Sequence, residues 1–226
     1  MDKNKKFTAI FLAAELTLYA AYMCLDIFTA LDTSAIKFAA VALCFLMSAA
    51  FLRKGRFIPS ALICLAILFS LTADIFLLLL GKYYTVGVAL FILAQIAYAL
   101  NIILLRGQSV LVWLAARAAF AVAAAVAAKI FFGDILISLA AAYALLSLFN
   151  IIHALDKRET RLLAAGLILL FLCDVCVGIV NINRLFNWER IKKLAVFAGY
   201  GMWFFYLPSQ VCAALVNVRY ANENIE

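Results

Sequence analysis

An all-α, polytopic membrane protein is the fold class this sequence predicts, on three observations. Its 226 residues are 69% hydrophobic and 14% charged, against about 25% charged residues in an ordinary soluble domain. Apolar stretches of about 20 residues, each long enough to cross a hydrocarbon core of ~30 Å, recur along the chain. Lysines and arginines gather in alternate connections between those stretches, as loops sorted to one side of a membrane do.

Taken in order, the apolar runs predict eight transmembrane helices. The first, over 7–30, is expected to remain as a span, because it lacks a small-x-small cleavage site and further spans follow it. The others are expected over 35–52, 58–81, 83–105, 109–132, 135–154, 161–182 and 194–217. Short connections punctuated by Lys54-Gly55-Arg56, Gly81-Lys82 and Arg106-Gly107 separate them. No stretch reads as a linker or soluble insert, so residues 1–226 are expected to form a single transmembrane helical-bundle domain.

The net charge of +7 reads as topology, and no nucleic-acid partner is implied. With alternating helices, Lys3, Lys5, Lys6, Arg53, Lys54, Arg56, Arg106, Lys157, Arg158, Arg161 and Arg219 share one side. Lys37, Lys82 and Lys129 lie opposite. The positive-inside rule then puts both termini in the cytoplasm. Loop 183–193, with Arg184, Arg190, Lys192 and Lys193, is the exception. Its amphipathic sequence NRLFNWERIKKL predicts an interfacial segment against anionic headgroups.

Cysteines 24, 44, 64, 173, 176 and 212 all fall within predicted helices, which predicts buried reduced thiols and no disulfide framework. Cys173 and Cys176 have redox-motif spacing in CDVC, but they lie in a membrane helix outside any βαβ context.

Asp74, in SLTADIFLLLLGK, and Asp174, in LLFLCDVCVGIVN, are lone carboxylates in apolar runs. A charge at membrane depth costs at least ~2.5–3.5 kcal/mol on insertion scales, so such residues face the bundle interior and mark function. From the helical rise, both lie roughly 10–12 Å below the outer ends of their predicted helices. A basic cluster precedes each Asp-bearing helix, and a helix with a central glutamine, Gln95 or Gln210, follows each. Helices 3–4 and 7–8 therefore read as related pairs, as in two parallel four-helix repeats. Helical spacing sets Ser70 on the face of Asp74. It aligns Tyr84, Phe91, Gln95 and Tyr98 in one stripe, Gly199, Trp203, Tyr206 and Gln210 in another, and Gly166, Leu170, Asp174, Gly178 and Asn181 in a third. Ser70, Gly178 and Asn181 also suit plain helix-to-helix packing. Glu15 and Arg117, each about 12 Å from the cytoplasmic end of its helix, are expected to form a buried structural pair. Lys37 is placed either to snorkel or to hold a phosphate.

Much chemistry is excluded. The single histidine, His153, stands near the cytoplasmic end of helix 6, away from the aspartates. It cannot complete a Ser-His-Asp machinery there, and one histidine cannot build a multi-histidine zinc site. Neither a Gly-rich phosphate loop nor G-x-S-x-G occurs. No metal or cofactor is implied. Paired carboxyls remain, and they suit acid-labile ether or acetal cleavage. One, held protonated by burial and a neighbouring negative charge, gives a proton. The other steadies an oxocarbenium-like ion or activates water.

At these residues the sequence resembles the YhhN family of lysoplasmalogenases. The resemblance is carried by SLTADIFLLLLGKYYTVGVALFILAQIAYAL, LLFLCDVCVGIVN and WFFYLPSQV, which cover helices 3, 4, 7 and 8. Family members commonly have Gly before the first aspartate and Ser before the second; here Ala73 and Cys173 stand there. The resemblance implies a hydrolase of lipid metabolism acting on the vinyl-ether bond of lysoplasmalogens, an ether lipid, in a bacterial plasma membrane. A fatty aldehyde and a glycerophospho-base would result. It implies Asp74 and Asp174 as the catalytic pair, with their acid and base roles open.

A lysophospholipid reaching that pair from the bilayer would set its phosphate near the outer interface, where Lys37, Lys82 and Arg184 are the expected cations and segment 183–193 the flank of its entrance. Ser70, Tyr84, Gln95, Tyr98, Asn181, Trp203, Tyr206 and Gln210 are the expected substrate-binding residues around it. The competing expectation is a proton- or cation-coupled transporter using the same aspartates, which broken helices or two vestibules would favour.

Overall fold

A computed structural model of the protein describes residues 3–29, 31–186 and 189–223. Eight α-helices follow one another: α1 (Lys3–Phe28), α2 (Ser34–Phe51), α3 (Phe57–Asp74), α4 (Tyr84–Leu105), α5 (Val110–Phe132), α6 (Ile135–Leu155), α7 (Arg161–Phe186) and α8 (Glu189–Glu223). Among the described residues each is long and apolar enough to cross a membrane, α3 together with the turn that extends it. The protein is an all-α, multi-pass membrane protein.

Large apolar side chains such as Leu16, Phe28, Leu111, Ile130, Phe131 and Phe197 point outward, as a lipid solvent allows. The interior combines Tyr22, Phe51, Ile63, Ile67, Tyr98, Ile102 and Leu167 with many alanines. Small residues let membrane helices approach closely. At Gly166 of α7, a Cβ would stand 3.1 Å from Cys212 Cβ and from the Ser209 carbonyl oxygen of α8, so a glycine there sets how tightly α7 and α8 pack. Helix α8 also packs on α1, α2 and α3, while α5 packs on α6 and α4. On α5, only Arg117, Ala121 and Ala128 are buried.

The basic residues predicted to share a side do meet at one end of the bundle. Lys54 Nζ donates to Asn4 Oδ1, Lys157 Nζ to the Leu105 carbonyl and Arg219 Nη1 to the Arg158 carbonyl. Arg106 pairs with Asp156, and Arg56 with Glu159. Residues near both ends of the chain therefore lie at the same end of the bundle.

Helix 3 departs from the 58–81 reading. The α-helical ladder stops at Asp74, and Ile75–Leu79 forms a π-helical turn in which the Leu80 N–H bonds the Ile75 carbonyl at 2.9 Å. Gly81 and Tyr83 then take left-handed backbone, with φ of 56° and 58°, and turn the chain into α4. At Gly87, Leu77 of the π turn lies so near that a Cβ would sit 2.5 Å from its Cγ. The wider turn is packed against the start of α4.

The 183–193 segment, read as a loop, is mostly helical: α7 continues to Phe186 and α8 begins at Glu189, with 187–188 outside the described residues. Its amphipathic period is that of the two helix ends, and Lys192 pairs with Glu189 one turn away. At 35 residues, α8 extends roughly 52 Å, well beyond a hydrocarbon core of ~30 Å.

Pro208 lies inside α8 and cannot donate to the carbonyl four residues back. That carbonyl, of Phe204, accepts instead from the Tyr19 hydroxyl of α1 at 3.3 Å, and the neighbouring Trp203 carbonyl accepts from Tyr22 at 3.1 Å. Neighbouring helices commonly satisfy freed carbonyls in this way in membranes. The result fixes the Trp203–Tyr206 stretch against α1.

Candidate functional site

Both lone aspartates are held by a tyrosine from another helix. Asp74, the last α-helical residue of α3, accepts a hydrogen bond from the Tyr206 hydroxyl of α8 at 2.8 Å. Asp174, within α7, accepts one from the Tyr143 hydroxyl of α6 at 2.7 Å. Asp74 is buried and Asp174 partly so. The two pairs are neighbours. The Phe91 ring of α4 lies 6.1 Å from the Tyr143 ring and 6.2 Å from the Tyr206 ring, edge-on to both.

Behind Tyr143 stands a polar chain across three helices. Gln95 Nε2 of α4 faces the Tyr143 oxygen at 3.5 Å. Asn150 Nδ2 of α6 donates at 2.8 Å to both the Gln95 carbonyl and Gln95 Oε1. Arg117 Nη1 of α5 donates to Asn150 Oδ1 at 3.0 Å. Arg117 is 2% exposed and is the buried charge of the most lipid-exposed helix. It turns inward, as an intramembrane charge must.

Behind Tyr206 the neighbours are aromatic. Its ring meets the Trp203 ring edge-on at 5.1 Å, and Trp203 meets Tyr22 at 6.0 Å. The Lys37 ammonium lies 5.2 Å from the Trp203 ring and 5.7 Å from the Tyr22 ring, while pairing with Asp26 at 2.6 Å. Asp26 also accepts from the Thr33 hydroxyl. Lys37 is buried and therefore does not snorkel to the surface: cation–π attraction and Asp26 hold it inward.

Other predicted residues divide by place. Ser70 is buried and bonds back to the Ala66 carbonyl; Tyr98 and Gln210 are buried in the core, with Gln210 Oε1 unpartnered among the described residues. Lys82, Tyr84, Asn181 and Arg184 are exposed. Gly178 faces open space, so it and Asn181 do not pack described helices together. Glu15 and Arg117 do not form the expected pair. The Glu15 carboxylate, 3% exposed, accepts from the Cys44 thiol at 3.3 Å, and Arg117 bonds Asn150, because α1 and α5 pack against different neighbours. Nor are all the thiols buried, for Cys24 is exposed.

Sequence reasoning missed Tyr143, Asn150 and Asp26. A signal for the first two existed: Tyr143, Ser147 and Asn150 fall four and three residues apart on one face of α6, and all three are buried. Asp26 carries no such mark, because its lysine lies across a turn on the next helix.

The arrangement sets two carboxyl groups, each bonded to a phenol, with both phenol rings packed on Phe91. Two such carboxyls, one protonated and one ionised, have the chemistry to give and to take a proton. The YhhN family model matches residues 33–214, which include both aspartates, both tyrosines and the whole polar chain. Glu15 and the whole of α1 lie outside the match. No curated protein and no solved structure matches the chain.

Proposed function

The chain belongs to the YhhN family, and on that premise we propose that it is a membrane hydrolase of vinyl-ether lysolipids. The observation that carries this reading is the pair of tyrosine-held carboxyls, Tyr206–Asp74 and Tyr143–Asp174, flanking Phe91.

One carboxyl donates its proton to the β-carbon of the enol ether, and the α-carbon becomes an oxocarbenium ion. Water adds to that carbon while the second carboxylate takes a water proton, giving a hemiacetal. The hemiacetal carbon–oxygen bond then breaks. The leaving glycerol oxygen receives the proton from the second carboxyl, and the hemiacetal hydroxyl returns one to the first. One water is consumed, a fatty aldehyde and a glycerophospho-base are formed, and both carboxyls return to their starting states. Buried oriented acids and bases contribute about 10²–10⁴-fold to such steps.

The headgroup lies toward the end of the bundle that bears Lys37, Lys82 and Arg184. The opposite, basic end faces the cytoplasm of a bacterial cell by the positive-inside rule. The test is to incubate purified protein with a lysoplasmalogen and, separately, with the matching ester lysolipid. Aldehyde is expected from the first alone.

The π turn directly after Asp74 favours a second reading, a proton-coupled carrier, since such turns are frequent at functional sites and broken helices occur in carriers. Proton movement into vesicles holding the protein, with no aldehyde formed, would establish that reading instead.

A further inference from the structure

The two Tyr–Asp pairs differ in what stands behind the tyrosine. Arginine has only N–H donors and no acceptor. Arg117 Nη1 must therefore meet an oxygen of Asn150, which turns the Asn150 NH2 group toward Gln95. That group needs an acceptor, so Gln95 Oε1 faces it and Gln95 Nε2 faces Tyr143. The Tyr143 oxygen then receives a donor, and its single hydrogen is left for Asp174 Oδ2. A fixed positive charge thus sets the direction of every amide and hydroxyl up to the carboxyl, through steps of 3.0, 2.8, 3.5 and 2.7 Å. Aligned donors polarise one another, and donation to a carboxylate favours its charged form.

Tyr206 has no such backing. Among the described residues no amide or guanidinium donates to its hydroxyl oxygen, and its ring packs on Trp203 and Phe91. Its hydroxyl donates to Asp74 here, and with no second donor on its oxygen it can equally turn to accept a hydrogen bond from a protonated Asp74.

We propose that Arg117, Asn150 and Gln95 are positioning residues that hold Asp174 as the ionised, proton-accepting member of the pair and leave Asp74 as the proton donor. In the hydrolysis above, Asp74 then gives its proton to the enol-ether carbon and Asp174 takes one from water. That allocation of steps rests on the hydrolase reading; the charge states do not. Tyr143 from α6 bonds Asp174, Cys173 and Cys176 stand beside it on α7, and Tyr206 of α8 with Asp74 of α3 lies across Phe91. Among the described residues the cation joined to Asp174 by hydrogen bonds is Arg117, at the far end of the chain.

The test is infrared difference spectroscopy of the full-length protein in lipid nanodiscs at neutral pH, with no substrate present. Asp174→Asn is expected to remove a carboxylate band, and Asp74→Asn a protonated carbonyl band. In Arg117→Gln, the Asp174 carboxylate band should give way to a protonated carbonyl band, and Arg117→Lys should restore it at least in part. If Arg117→Gln does not fold, Gln95→Met breaks the same chain farther along and should produce the same change. A structural role alone would leave the Asp174 band unmoved. The proposal is overturned if Asp174 is protonated and Asp74 ionised in the unsubstituted protein, or if breaking the chain leaves the Asp174 band in place. Since no turnover is needed, absent aldehyde release would count against the hydrolase reading without touching this one. Where aldehyde release is present, Gln95→Met should lower kcat about tenfold or more, the loss expected with a charge-assisted bond, and leave KM nearly unchanged.

Discussion

Asp74 sits where its helix stops being an α-helix, whereas Asp174 sits inside one that runs on to Phe186. Asp74 has a π turn above it and aromatic rings around its tyrosine; Asp174 has a continuous helix above it and a chain of amides ending in a buried guanidinium behind its tyrosine. The bond to each carboxyl is nearly the same, at 2.8 and 2.7 Å. Everything beyond that bond differs. The comparison shows what becomes of the parallel repeat read from the sequence. If α3–α4 matched α7–α8, the tyrosine for Asp174 would come from α4, as that for Asp74 comes from α8. It comes from α6, and α4 supplies Gln95 to bond that tyrosine. Gln210, the counterpart of Gln95 by position, has an Oε1 with no partner among the described residues. The likeness covers where carboxyl and glutamine stand along the chain and does not extend to their partners.

The largest break in this comparison is removal of either carboxyl. Asp74→Asn and Asp174→Asn should each lower aldehyde release by about 10²–10⁴-fold, the usual contribution of a positioned acid or base. The protein should still elute as a folded species on size exclusion. Retention of activity in one variant would show that the two sites are not a working pair.

Next come the phenols. Tyr143→Phe should cost more turnover than Tyr206→Phe, because it disconnects Asp174 from the chain behind it. A hydrogen bond to a charged group is worth about 1.5–3 kcal/mol, so a loss of roughly 10–100-fold in kcat is expected for Tyr143→Phe. For Tyr206→Phe a smaller loss is expected. Equal losses would mean that the backing of the two tyrosines has no consequence for the chemistry.

How much of this was legible in the sequence follows from what sets each feature. Helix positions were readable because hydropathy is a property of a segment, and each span carries its own. Asp74 and Asp174 stood out because an isolated charge in an apolar run conflicts with its local surroundings. The tyrosines, Asn150 and the destination of Arg117 depend on which helices touch. Glu15 and Arg117 look alike along the chain, as single charges about two turns from a helix end, and only the packing of α1 and α5 against different neighbours separates them. The π turn after Asp74 was missed because IFLLLL is equally apolar in either register. Predicted helix ends were also an uncertain ruler of depth, since α7 runs on past 182 while α3 changes register at Asp74. What joins the two sites is Phe91 of α4, packed on both tyrosines.

A smaller effect is expected at the aromatic side of the comparison. Lys37 is held by Asp26 and lies over Trp203, which packs on Tyr206. Lys37→Ala should therefore raise KM several-fold and also lower kcat slightly, by loosening the Trp203–Tyr206 contact. Lys82→Ala and Arg184→Ala, at exposed positions, should raise KM alone, because a contact equal in ground and transition states is lost. Steady-state kinetics on the three decides. If none raises KM, the headgroup lies elsewhere.

The smallest effect is expected at the third buried carboxyl. Glu15 is as buried as Asp74, yet its partner is a thiol, it lies on α1 outside the matched residues, and among the described residues no tyrosine hydroxyl bonds it. Burial alone does not make a carboxyl part of a reaction; orientation toward a second proton-transfer group does. Glu15→Gln keeps an oxygen for the Cys44 thiol and nearly the same volume. The variant also exchanges one unpartnered polar atom, Oε2, for another, so its stability should change by no more than about 1 kcal/mol. Aldehyde release should stay within about twofold of the unsubstituted protein, because the transition state loses no contact. A fall in turnover as deep as that of the aspartate variants, with folding intact, would place Glu15 in the machinery and end the distinction drawn between a buried carboxyl and an oriented one.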